Sequence, residues 1–503
     1  MDLWNPRPVS SEELERSEEP AASSGFFASR GAKRVLLVAM VLGTLRFLAL
    51  GEWSLWIDEA YTLADARTGA GHLNPVGYAL FDLWYGLAEG RPDELWMRLP
   101  AALFGWLAIP LSVWALVPFV GRRAAALAAL VVAVSPWHLY WSQNARFYTL
   151  AQCFGLVGVG LLVRGIRDVR VAGLVAAGVF LLLGAATHPS AAMLMGAALF
   201  APVLLARLGK LRVPPGVRLG RPLAIVFVVA LVASVPWMRD VWHVWSRRQG
   251  VGDPVHLVLT TGYLLTPVVG LGVLLGTFEV LRGRRPKARL LVAIAAGVLG
   301  LAFVASFFVR VSAQYVFVAM PLLAALAALP CARSEGSGAP GAGTRLARRR
   351  AAAWIYGLVL TLPLGVESAL YFTQRHGDRP RWREAYQHVF ENRRWTDLVL
   401  GMQAPVGQYY WAPWSVDLRQ WGMVVQLDQY RAGVAGDWLR YGRRIWFVVN
   451  HEELYDWGER ERDQMRRILA ERCTEEAYFP VPWTPRDLNV SVYLLDPATD
   501  GAR

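Results

Sequence analysis

The apolar run VLLVAMVLGTLRFLAL at residues 35–50 is followed closely by the stretch SLWIDEAYT at residues 54–62. The run is of membrane length, and rings such as those of Trp53, Trp56 and Tyr61 favour the headgroup level of a bilayer. Two adjacent carboxylates at that level are costly unless they bind a cation, a basic group or a substrate proton. The stretch predicts a membrane protein with an acidic site at the outer end of its first span.

Composition agrees with this interpretation. The chain has 503 residues, of which 55% are hydrophobic, and the apolar residues come in long blocks typical of a polytopic membrane protein. The net charge of +13 comes from Arg and Lys clusters between these blocks, as the positive-inside rule produces, so we expect no nucleic-acid partner. Its three cysteines show neither a disulfide framework nor metal-type spacing.

Eleven spans are expected from the apolar blocks, and the density of Arg and Lys in alternate loops puts the N-terminus in the cytoplasm. The predicted organisation is a disordered cytoplasmic tail (1–32), a transmembrane module (33–373) with a first outer loop at 52–98, and an extracytoplasmic domain (374–503). The predicted spans are 35–50, 99–119, 123–137, 148–163, 171–187, 190–206, 222–238, 257–280, 288–309, 314–330 and 351–372.

The composition changes at about residue 374, where charged residues, Trp and Tyr replace the apolar blocks. Leu398–Met402, Arg444–Asn450 and Val490–Asp496 are predicted strands, and 459–472 is a predicted helix. The fold class we expect is a polytopic α-helical membrane protein with about eleven transmembrane helices and a small C-terminal extracytoplasmic α/β domain.

Several short motifs resemble those of a known family when they are taken in order. They are WIDEAYT (56–62), NPVGYAL (74–80), RLPAALFG (98–105), GRRA (121–124), SPWHLYWSQNARFYTL (135–150), THP (187–189) and QYVFVAMPL (314–322). The chain resembles the GT-C superfamily of membrane glycosyltransferases, within it family 39-like proteins related to protein O-mannosyltransferases and lipid A aminoarabinose transferases. The resemblance implies the GT-C fold and a polyprenyl-phosphate-linked sugar as donor.

The chain departs from the family pattern at three positions. Asn144 stands where the family usually has Glu, Asn74 where it has His, and Gln314 where a basic residue is common. The first two replacements remove candidate metal ligands, so we assign no metal residues. A Mg²⁺ or Mn²⁺ cofactor remains an open alternative, since both ions favour oxygen ligands.

Transfer of a sugar needs a base for the acceptor proton and positive charge for the leaving phosphate. Asp58 is the expected base, with Glu59 orienting it or binding a neighbouring group. The alternative for Glu59 is a solvated partner of Arg67 or Arg146. Arg146 is the expected phosphate contact because a guanidinium fork suits phosphate oxygens. Its alternative is a lipid-headgroup anchor.

The remaining candidates are expected to bind substrate. Gln143 and Tyr148 flank Arg146, and His188 lies where two spans meet on the outer side. Tyr78 and Asn74 are expected to line the acceptor side. Packing of Tyr78 and a helix-end cap for His188 are the structural alternatives.

The expected function is therefore an inverting hexosyl or pentosyl transfer at the outer face of the inner (plasma) membrane, to a protein, lipid or glycan acceptor. Two alternatives remain: a transporter or flippase without chemistry, and a GT-C scaffold that has lost catalysis. Internal repeats and ionisable residues at mid-membrane depth would favour a transporter. No clear repeat is visible in the sequence.

Overall fold

The computed structural model describes residues 30–68, 73–89, 92–210, 220–246, 252–283, 285–331, 343–411, 424–428 and 443–497. Most of the tail predicted for residues 1–32 lies outside these ranges. The helices are α1 Arg30–Gly43, α2 Ile57–Thr68, α3 Pro75–Tyr85, α4 Glu94–Val134, α5 Pro136–Ser142, α6 Tyr148–Asp168, α7 Val171–Thr187, α8 Ser190–Arg207, α9 Gly220–Ser246, α10 Pro254–Leu265, α11 Pro267–Leu281, α12 Arg289–Ser306, α13 Met320–Ala328, α14 Gly343–Thr373, α15 Trp382–Asn392, α16 Ala404–Trp411, α17 His451–Tyr455 and α18 Glu459–Arg472.

Five helical segments of the described chain are long and apolar enough to cross a membrane, or six if one bent pair is counted as a single span. They are Glu94–Val134, Tyr148–Asp168, Ser190–Arg207, Ala313–Cys331 and Ala351–Thr373. Three shorter apolar helices, Val171–Thr187, Ala224–Pro236 and Arg289–Ala305, accompany them. The chain is a multi-pass helical membrane protein, as predicted, and the count of eleven spans stays a prediction.

The span predicted for 257–280 is divided into two helices. Helices α10 and α11 meet at Thr266, where the chain bends by 97° and Thr266 adopts φ 65°. Proline disfavours helical backbone at the residue before it, and Pro267 follows directly. The segment that was predicted to be one continuous helix therefore consists of two helices at nearly a right angle.

The predicted first span, 35–50, is also shorter than expected. Helix α1 ends at Gly43 and continues as a 3₁₀ turn over Thr44–Phe47. Within this turn, Arg46 is fully buried and donates hydrogen bonds to the carbonyls of Val132 (2.8 Å) and Ala133 (3.1 Å). These bonds satisfy the carbonyls at the C-terminal end of α4, which have no intrahelical partner.

The C-terminal segment forms a five-stranded sheet in the order β2-β1-β3-β5-β4. The strands are β1 Leu398–Gly401, β2 Val425–Gln426, β3 Ile445–Asn450, β4 Thr474–Phe479 and β5 Val490–Leu495. Strand β1 pairs in parallel with β2 and β3, whereas β5 pairs antiparallel with β3 and β4. The three predicted strands are present within one residue at each end, and the predicted helix 459–472 is α18.

The sheet and the segment that contains α2 and α3 share one apolar core. Side chains of α2 and α3, such as Leu63 and Phe81, belong to the same buried cluster as Trp382 of α15 and Phe447 of β3. Tyr409 of α16 adds a hydrogen bond from its hydroxyl to the carbonyl of Pro92 (3.2 Å). The sheet is thus held against the segment that carries the acidic pair.

Candidate functional site

The acidic pair lies in the first turn of α2, but its two carboxylates have different surroundings. Glu59 is fully buried, whereas Asp58 is partly exposed. The carboxylate of Asp58 accepts no hydrogen bond from the residues that the structure describes. Its backbone carbonyl accepts hydrogen bonds from Thr62 Oγ1 (2.8 Å) and from Arg146 Nη1 (3.4 Å). The free carboxylate at a helix N-terminus is available to a substrate, and the helix dipole favours its charge.

Glu59 is held by a buried network. Arg98 donates to both of its oxygens, from Nε at 2.8 Å and from Nη2 at 2.9 Å. The backbone N–H groups of Trp56 (2.8 Å) and Ala145 (2.7 Å) donate as well, and Arg379 Nε lies 3.7 Å away. Burial acts to raise the pKa of Glu59, but Arg98 and Arg379 outweigh it and hold that pKa below its ordinary value.

This network corrects one expectation. Glu59 is not a solvated partner of Arg67 or Arg146, because its side chain is fully buried and its ion-pair partner is Arg98. The reach from Glu59 back to the N–H of Trp56 is half of a capping box, which starts the helix. Arg98 also donates to the carbonyls of residues 50, 53 and 54, so the pair fixes the chain that leads into Asp58.

Arg146 is positioned beside Asp58. Its Nη1 donates to Thr62 Oγ1 at 2.9 Å, and its guanidinium lies 5.3 Å from the centre of the Phe147 ring. Its Nε is buried and has no hydrogen-bond partner among the described residues. Burial opposes the charge of Arg146, but Asp58, Tyr78 and Tyr148 together outweigh it and raise the pKa of Arg146 above its ordinary value. The guanidinium stays charged and keeps a donor unused.

Tyr78 approaches the same guanidinium from α3. Its hydroxyl donates to Asp65 Oδ2 at 3.2 Å, and its ring packs 4.7 Å from that of Phe147. Burial raises the pKa of Tyr78 to about 12, although the charge of Arg146 acts in the opposite direction. The phenol is therefore neutral, and its position depends on Gly77, since a Cβ there would lie 2.5 Å from the Phe147 ring.

His188 and Tyr148 also lie near Arg146, whose charge acts on both side chains. Their ring centres are 4.2 Å apart. His188 Nδ1 accepts from the backbone N–H of Ser190 at 3.3 Å, so the proton of the neutral ring is on Nε2. Burial, aided by the charge of Arg146, lowers the pKa of His188 to about 3. His188 is thus a neutral hydrogen-bond donor, and it is not a base at physiological pH.

Gln143 lies apart from this group, and its role in substrate binding stays a prediction. Its side chain is fully buried, and Oε1 accepts from Tyr371 Oη (2.9 Å) and Trp53 Nε1 (3.3 Å). Its Nε2 donates to the carbonyls of Arg46 and Leu48. With these groups engaged, Gln143 links the 3₁₀ turn that follows α1 to α14.

The two asparagines that replace family carboxylate and histidine positions are buried. Asn144 is fully buried, and neither Nδ2 nor Oδ1 has a hydrogen-bond partner among the described residues. Asn74 precedes α3, and its Oδ1 is likewise unpartnered within the described part of the chain. In the described residues, no three His, Cys, Asp or Glu side chains are grouped as a metal site requires.

Two of the helices that carry the residues around Arg146 also form a groove with apolar walls. Its volume is about 290 Å³, and it lies between α3, α4, α6 and α7. Val76 and Leu80 line it from the helix of Tyr78, and Leu150 and Phe154 line it from the helix of Tyr148. The charged group and the groove therefore share two helices.

Sequence reasoning missed four residues of the site: Thr62, Asp65, Arg98 and Arg379. Thr62 and Asp65 lie one and two helical turns after Asp58, so the helical period of the segment was a usable signal. Arg379 comes from the C-terminal segment, and its proximity to Glu59 depends on the docking of the sheet. No local signal predicts that contact.

No family model and no curated protein matches the sequence. Solved structures do match the fold. ArnT from Cupriavidus metallidurans in the apo state is 15% identical, with a TM-score of 0.56 over 94% of this chain and 100% of that one. The same protein bound to undecaprenyl phosphate is 17% identical, with a TM-score of 0.53 over 93% and 98%.

An archaeal structure matches as well. The Archaeoglobus fulgidus oligosaccharyltransferase in the apo form is 12% identical, with a TM-score of 0.56 over 90% of this chain and 74% of that one. At these identities the likeness concerns the fold, and it agrees with the resemblance found in the motifs. The chain shares the fold of these two proteins.

Proposed function

We propose that the protein is a membrane glycosyltransferase that takes a monosaccharide from a polyprenyl-phosphate donor, with Asp58 as the base. One observation supports this proposal above all. The carboxylate of Asp58, which accepts no hydrogen bond from the described residues, lies beside the guanidinium of Arg146, whose Nε has no hydrogen-bond partner among them. Structures with the same fold have been solved with undecaprenyl phosphate and with a dolichol-phosphate, which supports a lipid-linked donor.

The proposed step is a direct displacement. Asp58 takes the proton of an acceptor hydroxyl or amine, and the acceptor atom forms a bond to the anomeric carbon of the donor. The bond from that carbon to the phosphate oxygen breaks, and the electron pair leaves with the polyprenyl phosphate. Arg146 stabilises the charge that develops on the phosphate. Attack from the side opposite the leaving group inverts the anomeric centre.

Neutral donors surround the reacting groups in this proposal. Tyr78 keeps its hydroxyl proton and His188 carries its proton on Nε2, so both are suited to phosphate or sugar oxygens. Tyr148 packs against His188 and sets the orientation of that ring. Glu59 takes no proton from the acceptor in this account, since its oxygens are engaged by Arg98 and two backbone N–H groups.

The apolar groove is the proposed site of the polyprenyl chain. Its walls are Val76, Leu80, Phe104, Leu150, Phe154 and Phe180 together with their apolar neighbours. A lipid chain there would place its phosphate near Arg146, because the groove shares helices α3 and α6 with the charged group. Apolar walls also exclude water, which limits hydrolysis of the donor.

The topology that goes with this proposal has eleven spans and a cytoplasmic N-terminus in the inner (plasma) membrane. Asp58 and the C-terminal sheet then lie on the extracytoplasmic side. The distribution of Arg and Lys among the loops supports this orientation. Reaction of a membrane-impermeant maleimide with a cysteine introduced at exposed Trp395 of intact cells is the direct test.

A transporter remains the second candidate because of one observation. The break between α10 and α11 at Thr266 is of the kind that discontinuous helices of transporters use to bind substrates. Purified protein in nanodiscs, supplied with a donor labelled in both lipid and sugar, separates the two functions. A glycosyltransferase releases polyprenyl phosphate and labels an acceptor from envelope extract, whereas a transporter leaves the donor intact.

A further inference from the structure

A second cavity, of about 520 Å³, lies in the C-terminal sheet domain. None of the residues that surround Asp58 lines it. It opens between helix α18, the end of β3 and the segment before β5. Its size is in the range of small-molecule binding sites. The lining side chains are of three kinds: the aromatic Tyr455 and Tyr493, the apolar Leu454, Leu469 and Pro485, and the polar His451, Glu452, Arg466, Arg486 and Asp487.

The polar lining is arranged in pairs. Arg486 donates to both oxygens of Glu452, from Nε at 2.8 Å and from Nη2 at 2.7 Å. His451 Nδ1 lies 3.6 Å from an oxygen of Asp487. Arg466 is exposed and has no hydrogen-bond or ion-pair partner among the described residues. The two arginines and the two carboxylates of the lining carry no net charge between them.

This combination favours a neutral ligand rich in hydroxyl groups. A site for a phosphate or a polyanion would carry an excess of positive charge, which this lining lacks. Paired carboxylates and guanidinium groups present planar acceptors and donors that suit neighbouring hydroxyls. The exposed ring of Tyr455 adds an apolar face beside them. A carbohydrate has both features, since its rings have polar edges and C–H faces.

Arg486 lines the cavity and also contacts Trp56, which lies close to Asp58. The guanidinium of Arg486 lies over the Trp56 ring, 5.6 Å from its centre. Trp56 is two residues before Asp58, so the Cα atoms of the two residues are within about 7 Å of each other. A ligand in the cavity that extends past Arg486 would therefore reach the reacting carboxylate.

We propose that this cavity binds the acceptor of the reaction, and that the acceptor is a neutral carbohydrate chain. The proposal rests on the glycosyltransferase function proposed above and narrows its acceptor from protein, lipid or glycan to glycan. The cavity holds one or more units of the chain, and the next unit presents its hydroxyl to Asp58. Arg466 and Tyr455 are specificity-determining residues that act on acceptor binding alone.

Binding to an array of neutral hexose and pentose oligosaccharides tests the proposal without reference to activity. The full-length protein in detergent is applied together with the Arg466→Ala and Tyr455→Ala variants. Arg467→Ala is the matched control, because Arg467 neighbours Arg466 on α18, is also exposed and does not line the cavity. We expect at least one class of oligosaccharide to bind, at least tenfold weaker binding by Arg466→Ala and Tyr455→Ala, and unchanged binding by Arg467→Ala.

Failure of this inference can be distinguished from failure of the proposed function. Absence of binding to any neutral oligosaccharide, equal binding by all variants, or a preference for sulfated glycans or peptides on the same array would overturn the acceptor assignment. None of these results affects transfer from a lipid-linked donor, which is measured separately with Asp58→Asn. Oligosaccharide binding by a protein that releases no polyprenyl phosphate would overturn the acceptor role and the proposed function together.

Discussion

Arg98 and Glu59 form a fully buried ion pair, with two hydrogen bonds of 2.8 and 2.9 Å between the guanidinium and the carboxylate. The pair joins α2, which also carries Asp58, to the start of α4. Two neighbouring carboxylates in one helical turn thus have different surroundings. Glu59 is engaged by Arg98 and by backbone N–H groups, whereas the carboxylate of Asp58, the base that we propose, accepts no hydrogen bond from the described residues.

Replacement of Glu59 by Gln is expected to destabilise the protein, because Arg98 would remain buried with an uncompensated charge. Loss of one partner of a buried pair typically costs about 3–5 kcal/mol. The apparent melting temperature in detergent and the yield of monodisperse protein measure this loss. Glu52→Gln, at an exposed carboxylate nearby, is the control. A stable Glu59→Gln protein without transfer activity would instead make Glu59 part of the chemistry.

The pH dependence of that pair has a definite sign. Because the folded-state pKa of Glu59 is lowered, its ionised form stabilises the fold above the unfolded-state pKa of about 4. This stabilisation is lost as the pH falls through the folded-state pKa. We expect the difference in melting temperature between wild type and Glu59→Gln to shrink on acidification below about pH 4. A constant difference down to pH 3 would contradict the ionised state of Glu59.

Arg146 is expected to act on the phosphate of the donor. Arg146→Ala should lower kcat/KM by about 10²–10³-fold, the range for loss of one preorganised donor. Arg146→Lys should recover part of the lost activity, since lysine keeps the positive charge but lacks the paired N–H donors of the guanidinium. Arg239→Ala is the control, because Arg239 is exposed on α9. Equal activity of wild type and Arg146→Ala would leave Arg146 as a headgroup anchor only.

The apolar groove should sense the length of the lipid chain. Val157 lines it, and Val157→Phe adds volume where the polyprenyl chain is proposed to lie. We expect the KM for a long-chain donor to rise at least tenfold, with a smaller rise for a short-chain donor. Val175→Phe, at an exposed apolar position of α7, is the control. A rise that is independent of chain length would place the lipid elsewhere.

Glu453 of α17, the short helix that follows β3, gives a second pH-dependent effect. Burial raises its pKa to about 8, and Glu452 and Asp456 act in the same direction. A raised folded-state pKa stabilises the protein below the unfolded-state pKa of about 4, and this stabilisation is lost as the pH rises through 8. Gln resembles the protonated form, so Glu453→Gln should melt above wild type at pH 9, with a smaller difference at pH 6. A difference that is the same at both values would contradict the raised pKa.

Local patterns predicted the parts of the fold that depend on local signals. The strands around Val399, Phe447 and Val492 alternate or run apolar between polar flanks, and all three are present. Strand β4 was missed because Glu475 and Glu476 interrupt its apolar pattern at the edge of the sheet. The break at Thr266 was also missed, although Pro267 is a signal for it.

The residues of the candidate site also divide into those that local sequence patterns predicted and those that they did not. Asp58, Arg146, Tyr78, Tyr148 and His188 were predicted and lie together in the structure, although their roles stay predictions. The environment of Glu59 was not predicted, because Arg98 is 39 positions away along the chain and Arg379 comes from the C-terminal segment. Gln143 was assigned to substrate because it neighbours Arg146 in sequence, while its side chain is buried with Tyr371 and Trp53.

The central claim is that Asp58 takes the proton of the acceptor, and the rate of sugar transfer by Asp58→Asn tests it most directly. The variant and wild type are compared in nanodiscs with a labelled polyprenyl-phosphate sugar and envelope acceptor, with Asp82→Asn, an exposed carboxylate of α3, as control. We predict unchanged abundance and melting temperature for Asp58→Asn and a loss of transfer of about 10²–10⁴-fold, the contribution of a general base. Transfer at the wild-type rate by folded Asp58→Asn would contradict the account.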